Sequence, residues 1–113
     1  KNIELIQHVD ETFVDVNIGI PVGLITNELI TNSYKHAFEG RSNGTITIRF
    51  EDNGDSFRLE VYDDGVGFDE DLFEKKKSSL GISLIQSLTK QISGELNYRG
   101  EGGAWFEINI PKA

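Results

Sequence analysis

The sequence feature that most constrains the fold is a long run of helix-forming residues, GLITNELITNSYKHAF, at positions 23–38. Ile20-Pro21 precedes this run, and proline fits the first turn of a helix because no hydrogen bond from its nitrogen is needed there. On a helical wheel the apolar side chains cover a broad arc, which predicts that one face of the helix packs on a core. The apolar positions are Val22, Leu29, Ile30, Tyr34, Ala37 and Phe38.

The remaining stripe of this helix carries Glu28, Asn32 and Lys35, with His36 at its edge. Residues three or four apart are neighbours on a helix surface, so a carboxylate, an amide and an ammonium lie in line. An amide oxygen can ligate Mg²⁺, a lysine can meet phosphate oxygens, and a carboxylate can orient a water or a hydroxyl. The stripe is therefore compatible with a polyphosphate site that includes a metal, and equally with an ordinary solvated helix face.

Two segments after this helix alternate apolar and polar residues, at positions 46–50 and 57–61. Asn53-Gly54 lies between them and is typical of a tight turn, so the pair predicts a β-hairpin. The segment from Ile3 to Val16 also alternates, around Asp10-Glu11, which predicts a short antiparallel pair. Another pair of strands is predicted near the end of the chain, from Leu96 to Ile110, with a glycine-rich turn between them.

The second strand of the predicted hairpin continues directly into Asp63-Asp-Gly65-Val-Gly67. Such a sequence places a carboxylate at the edge of a sheet, followed by backbone that a ligand can approach closely because it lacks Cβ atoms. A carboxylate at this position can accept a hydrogen bond from an exocyclic amine such as N6 of adenine. The same residues also suit a simple glycine-rich turn.

The polar segment from Phe68 to Ser79 predicts a mobile loop over a site. An amphipathic helix is then predicted from Leu80 to Ile92, and Gly81 lets its first turn come close to phosphate oxygens. Ser78 or Ser79 can cap this helix.

Composition narrows the classes of function. At 113 residues, the chain is predicted to form one domain, residues 1–113. A formal net charge of −8 argues against nucleic acid as a partner. The absence of cysteine excludes thiolate chemistry, and no apolar run suggests direct membrane contact, so a cytoplasmic location is expected even if a parent protein is membrane-anchored.

The order and spacing of these motifs resemble the ATP-binding catalytic domain of sensor histidine kinases, within the superfamily that includes gyrase, heat-shock chaperones and mismatch-repair ATPases. The resemblance covers nearly the whole chain and is closest to the second histidine kinase subgroup. It implies an α/β (α+β) two-layer sandwich, in which a mixed, mostly antiparallel sheet carries helices on one face and nucleotide binds between helix and lid.

The resemblance also implies roles for individual residues. Asn32 matches the asparagine that ligates Mg²⁺, and Glu28 matches the acidic residue that acts as base or orients the acceptor. Lys35 matches a phosphate-contacting base, and His36 lies where the family has a residue near the nucleotide. Asp63 matches the aspartate that binds the adenine amino group. The remaining implied positions are Gly65 and Gly67 at the close approach to the nucleotide, Ser79, Leu80 and Gly81 beside the phosphates, and residues 69–78 as the ATP lid.

The function expected from this resemblance is binding of Mg-ATP and donation of its γ-phosphate to a histidine on a separate dimerisation domain, and through it to a response regulator. Because no segment reads as that acceptor helix, the chain is expected to be part of a longer sensor. His8 is given no phosphoacceptor role. Two alternatives stay open: a serine kinase of the anti-sigma-factor type, and a nucleotide-sensing domain that has lost transfer. A chaperone-like ATP clamp is disfavoured, because the chain has no room for the extra dimerising domain.

Overall fold

The computed structural model describes residues 2–75 and 81–112. Its strands are β1 (Asn2–Val9), β2 (Asn43–Asp52), β3 (Ser56–Asp63), β4 (Glu95–Arg99) and β5 (Trp105–Pro111). Its helices are α1 (Val16–Asn32), α2 (Glu70–Lys75) and α3 (Ile82–Gln91), and a π-helical turn (Ser33–Ala37) follows α1 directly. The sheet has the order β1-β2-β3-β5-β4, with β1 parallel to β2 and the other neighbours antiparallel. The predicted α/β (α+β) class and mostly antiparallel mixed sheet are confirmed.

The apolar core lies between the sheet and the helices, as the predicted two-layer sandwich requires. Alternate side chains of the three central strands are buried because successive residues of a strand point to opposite faces, and α1 and α3 cover that buried face. The buried strand positions are Ile46, Ile48, Phe50, Phe57, Leu59, Val61, Phe106, Ile108 and Ile110. The opposing helix positions are Ile25, Leu29, Ile82 and Ile85. The predicted hairpin at Asn53-Gly54 is confirmed by the pairing of β2 with β3.

The predicted antiparallel pair between Ile3 and Val16 is wrong. β1 is a single strand that ends at Val9 and pairs parallel with β2, in a register that places Leu5 beside Ile46. The residues after it lead into α1, whose N-cap is Asp15 and whose first residue is Val16. Alternation indicates a strand but carries no information about the direction or identity of its partner.

The predicted start of the central helix is also wrong. α1 begins at Val16, so Pro21 lies inside the helix instead of in its first turn. The Asp15 carboxylate accepts a hydrogen bond from the backbone N–H of Asn17 at 2.8 Å. This bond satisfies one of the first-turn N–H groups of α1 that have no partner within the helix. Pro21 is buried, so its ring contributes packing where its nitrogen contributes no helical hydrogen bond.

The predicted regular helix to Phe38 changes form after Asn32. Residues Ser33–Ala37 make a π-helical turn. A π turn inserts one extra residue and so rotates the side chains that follow it. Ser33 is therefore buried, whereas Tyr34, which the helical wheel placed in the core, is 56% exposed.

The predicted loop from Phe68 to Ser79 contains a short helix, α2, that the sequence reading missed. Phe73 on α2 is buried and stacks among other aromatic rings, with its centroid 4.5 Å from that of Phe68 and 4.9 Å from that of Tyr98. These apolar contacts give the segment an ordered position against β4 and β5. Residues 76–80 lie outside the described part of the chain. This range includes Ser78 and Ser79, the predicted caps of α3.

Candidate nucleotide-binding site

Asp63, the last residue of β3, is the buried polar centre of the candidate site. Its side chain is 5% exposed and accepts three hydrogen bonds. The backbone N–H groups of Gly65 and Ala104 donate to Oδ1 at 2.9 Å and 3.1 Å, and the Ser33 hydroxyl donates to Oδ2 at 2.8 Å. A buried carboxylate needs such donors to offset its lost hydration. They also fix its orientation from three separate chain segments.

A cleft opens between this carboxylate, the π turn and α2. It contains about 490 Å³ of space, a figure that includes the part open to solvent. Aromatic and aliphatic side chains form most of its wall, and Asp63, Ser33, Asn32 and His36 supply the polar groups. The lining residues are Asn32, Ser33, His36, Ala37, Asp63, Gly67, Phe68, Phe73, Ile82, Ala104 and Phe106. An apolar slot with one buried carboxylate suits a flat base that carries an amino group.

Glu28 and Asn32 lie one turn apart at the end of α1, as predicted, and Glu28 approaches the start of α3. A Cβ placed on Gly81 would lie 2.8 Å from Oε2 of Glu28. Gly81 also has a φ of +76°, a conformation that residues with a side chain rarely adopt. The structure therefore brings the predicted acidic residue next to the predicted glycine at the first turn of α3.

Lys35 and His36 lie on the exposed side of the π turn. His36 is part of the cleft wall, whereas Lys35 is not. Ser79 and Leu80, predicted beside the phosphates, lie outside the described residues. Their roles, and that of Lys35, stay predictions.

Gly65 and Gly67 each allow a close contact within the protein. A Cβ on Gly65 would lie 2.3 Å from the carbonyl oxygen of Ala37, and a Cβ on Gly67 would lie 2.1 Å from that of Gly100. Gly67 lines the cleft, but Gly65 is buried against the π turn. The geometry thus accounts for both glycines by backbone packing, and their contact with a ligand stays a prediction.

The cleft residues that the sequence reading missed include Ser33, Phe68 and Phe106, which line the cleft together with Phe73 of the predicted lid. Ser33 follows Asn32 directly, but a regular helix gives no reason to select it. The phenylalanines come from three different segments of the chain. Their convergence depends on the sheet order and on α2.

The donor set near Asn32 is compatible with Mg²⁺. Within residues 2–75 and 81–112 no cluster of three His, Cys, Asp or Glu side chains forms a ready-made metal cage. Mg²⁺ is usually held by one or two protein oxygens together with waters and substrate phosphates. An amide oxygen at the cleft wall fits that mode of binding.

Comparison with known proteins agrees with this geometry. Residues 17–113 match the family of histidine kinase-, DNA gyrase B-, and HSP90-like ATPases. The chain is 34% identical over 104 residues to blue-light-activated histidine kinase 2 of Erythrobacter litoralis, covering 90% of this chain and 30% of that protein. A solved structure of an Erythrobacter litoralis blue-light activated histidine kinase superposes with a TM-score of 0.90 at 31% identity, covering 99% of this chain and 36% of that one. The serine-protein kinase RsbW of Listeria innocua is 38% identical over 96 residues, 73% of this chain and 57% of that protein.

The chain therefore belongs to the histidine kinase-, DNA gyrase B-, and HSP90-like ATPase family. Within that family it is similar to the ATP-binding catalytic domains of histidine kinases, which supports a kinase catalytic role. It spans less than a third of the length of the histidine kinase relative above. None of the helices in residues 2–75 and 81–112 is long and apolar enough to cross a lipid bilayer.

Proposed function

We propose that this domain binds Mg-ATP in the cleft and donates the γ-phosphate to a histidine on a separate phosphoacceptor domain, which then supplies a response regulator. The observation that carries the proposal is the buried Asp63 carboxylate, held by three donors at the wall of an otherwise largely apolar cleft. An adenine ring fits this combination because its edge presents an amino donor and its faces are apolar. The similarity to histidine kinase catalytic domains supports the same assignment.

The phosphates would extend from the base towards the end of α1 and the first turn of α3. Asn32 would hold Mg²⁺ through its amide oxygen, and the bound ion would neutralise charge on the phosphates. Lys35 would meet the phosphates from the exposed side of the π turn. Gly81 would let backbone N–H groups approach them.

In the transfer step, the acceptor imidazole nitrogen forms a bond to the γ-phosphorus. The bond from that phosphorus to the oxygen bridging the β- and γ-phosphates breaks, and ADP leaves with the electron pair. Glu28 would orient the imidazole or accept its proton. Phosphoryl transfer depends mainly on positioning and charge neutralisation, so a domain that contributes only these elements can act on an acceptor supplied by another domain.

Calorimetric titration of ATP, with and without Mg²⁺, tests the proposal on the wild type and on Asp63→Asn. The amide can donate as well as accept, and it removes a charge-assisted hydrogen bond worth about 1.5–3 kcal/mol, so we expect ATP affinity to fall about 10- to 100-fold. Discrimination between ATP and GTP is expected to fall with it. Equal binding of ATP and GTP by the wild type would contradict the adenine role of Asp63.

Asp64→Asn is the matched control. It removes the same charge one residue further along, where the side chain is exposed and accepts a hydrogen bond from the backbone N–H of Thr45. We expect its ATP affinity to stay within about twofold of the wild type, since Asp64 is not part of the cleft wall. A loss equal to that of Asp63→Asn would point to a general charge effect.

A serine kinase of the anti-sigma-factor type is the second candidate, favoured by the 38% identity to the Listeria innocua serine-protein kinase RsbW. The two candidates use the same nucleotide site and differ in the acceptor. Acid treatment of the phosphorylated product separates them, because phosphohistidine hydrolyses in acid and phosphoserine does not. Acid-stable phosphate on a separate protein would favour the serine kinase, and binding without transfer to any supplied acceptor would favour a nucleotide-sensing domain.

A further inference from the structure

We propose that Ser33 is a specificity-determining residue: its hydroxyl and the Asp63 carboxylate form a paired acceptor that selects a base with an exocyclic amino group. This inference rests on the proposed nucleotide site and adds to it a residue that the motif reading did not contain. It starts from the 2.8 Å hydrogen bond between Ser33 Oγ and Asp63 Oδ2. Both side chains line the cleft, and both are nearly buried.

The hydrogen bonds on Asp63 determine which of its oxygens can meet a ligand. An ionised carboxylate offers about four acceptor positions, two on each oxygen. The N–H groups of Gly65 and Ala104 occupy both positions on Oδ1. On Oδ2, the donor contributed by the described residues is the Ser33 hydroxyl. With respect to donors from residues 2–75 and 81–112, the remaining position is therefore on Oδ2, beside Ser33.

The same hydrogen bond determines what Ser33 can offer. A serine hydroxyl has one hydrogen to donate and two lone pairs to accept with. Its hydrogen is directed at Asp63, so towards the cleft its oxygen presents lone pairs only. Oδ2 and Oγ together present two adjacent acceptors and no hydrogen.

An amino group has two hydrogens and can donate to these two acceptors. A carbonyl oxygen has no hydrogen to donate, so its lone pairs would face those of Oδ2 and Oγ and be repelled by them. A site built to receive a hydrogen bond rejects an analogue that lacks the donor, because its own buried polar groups are then left unpaired. Adenine carries an amino group at its sixth position, and hypoxanthine carries a carbonyl at the same place. The pair is thus expected to favour ATP over inosine triphosphate.

The π turn is what brings Ser33 into this position. Its first residue, Ser33, donates to Asp63, and its last residue, Ala37, accepts the N–H of Val66 through its carbonyl at 2.8 Å. These two contacts hold the segment from Asp63 to Val66 at both ends. Because a π turn rotates the following side chains relative to a regular helix, Ser33 points inward and Tyr34 points outward.

The test is calorimetric titration of ATP and inosine triphosphate into the wild type and into Ser33→Ala. We expect the wild type to prefer ATP. In Ser33→Ala, loss of one hydrogen bond is expected to lower ATP affinity about 3- to 10-fold. Affinity for inosine triphosphate is expected to change less than about twofold, because that ligand makes no favourable contact with the pair. The ratio of ATP affinity to inosine triphosphate affinity is therefore expected to be lower in Ser33→Ala than in the wild type.

Thr89→Val is the matched control. Thr89 is also a buried hydroxyl residue, and it donates to the carbonyl of Ile85 at 2.6 Å, away from the residues that line the cleft. Removal of the Thr89 hydroxyl is expected to lower the melting temperature of the domain without changing the ratio of ATP affinity to inosine triphosphate affinity. Ser33→Cys, which keeps nearly the same size but donates weakly, provides a second variant if Ser33→Ala does not fold.

Four outcomes are distinguishable. A lower ratio of ATP affinity to inosine triphosphate affinity in the Ser33 variants, with a wild-type ratio in Thr89→Val, supports the inference. Wild-type affinities for both ligands in both Ser33 variants overturn it while leaving the nucleotide site intact. An equal loss of affinity for both ligands, which leaves the ratio unchanged, also overturns it and marks a purely structural serine. No binding of ATP by the wild type overturns the proposed function itself.

Discussion

Glycines beside Asp63 allow main-chain segments to approach more closely than any side chain would permit. Gly65 lies against the carbonyl of Ala37, and its own N–H donates to Asp63. Gly23, by contrast, lies on the exposed part of α1 with no heavy atom within 4 Å of a Cβ placed on it. Replacing glycine by alanine is therefore expected to have opposite effects on the stability of the domain at these two positions.

Gly65→Ala is expected to destabilise the domain by about 1–3 kcal/mol, because the added methyl group overlaps backbone that has to move. Gly23→Ala is expected to stabilise it by about 0.5–1 kcal/mol, since alanine is the better helix former and the space is open. Urea unfolding of both variants measures the two free energies. A stabilising Gly65→Ala would mean that the approach of the π turn to this segment is looser than the structure indicates.

The elements around the cleft are joined by contacts between distant parts of the sequence. α2 packs through Phe73 against Phe68, Tyr98 and Phe106, and the Tyr98 hydroxyl donates to Glu74. Burial, followed by the hydrogen bond to Glu74, raises the pKa of Tyr98 to about 12. The neutral tyrosine is therefore favoured in the folded state, and α2 is attached to β4 by both aromatic and polar contacts.

At the opposite end of the sheet, Asp52 joins three segments at the end of β2. Its carboxylate contacts Lys112 Nζ at 2.7 Å and accepts hydrogen bonds from the Thr12 hydroxyl and the backbone N–H of Gly54. The Lys112 ammonium, and then the Thr12 hydroxyl, hold the pKa of Asp52 well below its usual range. These bonds connect the approach to α1, the β2–β3 turn and the end of β5.

A depressed carboxyl pKa implies that stability is lost in acid. The unfolded chain binds a proton on Asp52 at about pH 4 while the folded chain does not, so this contribution is present above that pH and is lost as pH falls below it. We expect Asp52→Asn to be less stable than the wild type at pH 7, with a smaller difference at pH 3. Urea unfolding at both pH values measures this difference, and Asp55→Asn, on the same turn, controls for the loss of one charge. A difference that is unchanged or larger at pH 3 would contradict the linkage.

For the whole molecule, the proposed function separates nucleotide binding from the phosphate acceptor. The two histidines of the chain are His8, exposed on β1, and His36, on the cleft wall. His8 belongs to the parallel strand pair of the sheet, opposite Arg49 in register, a position that suits a structural residue. The acceptor is therefore expected on a different domain.

The isolated chain incubated with ATP labelled on the γ-phosphate is expected to acquire little acid-labile phosphate. Addition of the phosphoacceptor domain of a parent protein is expected to give rapid labelling of that domain. His8→Gln, far from the nucleotide site in the proposal, is the control and is expected to transfer like the wild type. Strong labelling of the isolated chain on His8 or His36 would contradict the separation of the two functions.

Local pattern was sufficient to predict most elements because their signals lie within a few residues of one another. The alternation on β2 and β3, the Asn53-Gly54 turn and the amphipathic α3 are all of this kind. The motif in which Asp63 is followed closely by Gly65 and Gly67 is also a local signal of this kind. In contrast, the direction of β1, the start of α1 and the existence of α2 depended on partners far along the chain.

The amino-acid sequence by itself determined the order of motifs, the hairpin of β2 and β3, the carboxylate at the end of β3 and the polar line from Glu28 to Asn32. Each of these depends on residue types at short, fixed spacing. Only the tertiary structure decided that Ser33 binds Asp63, that Gly65 packs on Ala37 and that Phe106 joins Phe68 and Phe73 in the cleft wall. The physical reason is that these contacts require a π turn and a sheet order, which arise from packing between segments and leave no mark in the local spacing of residues.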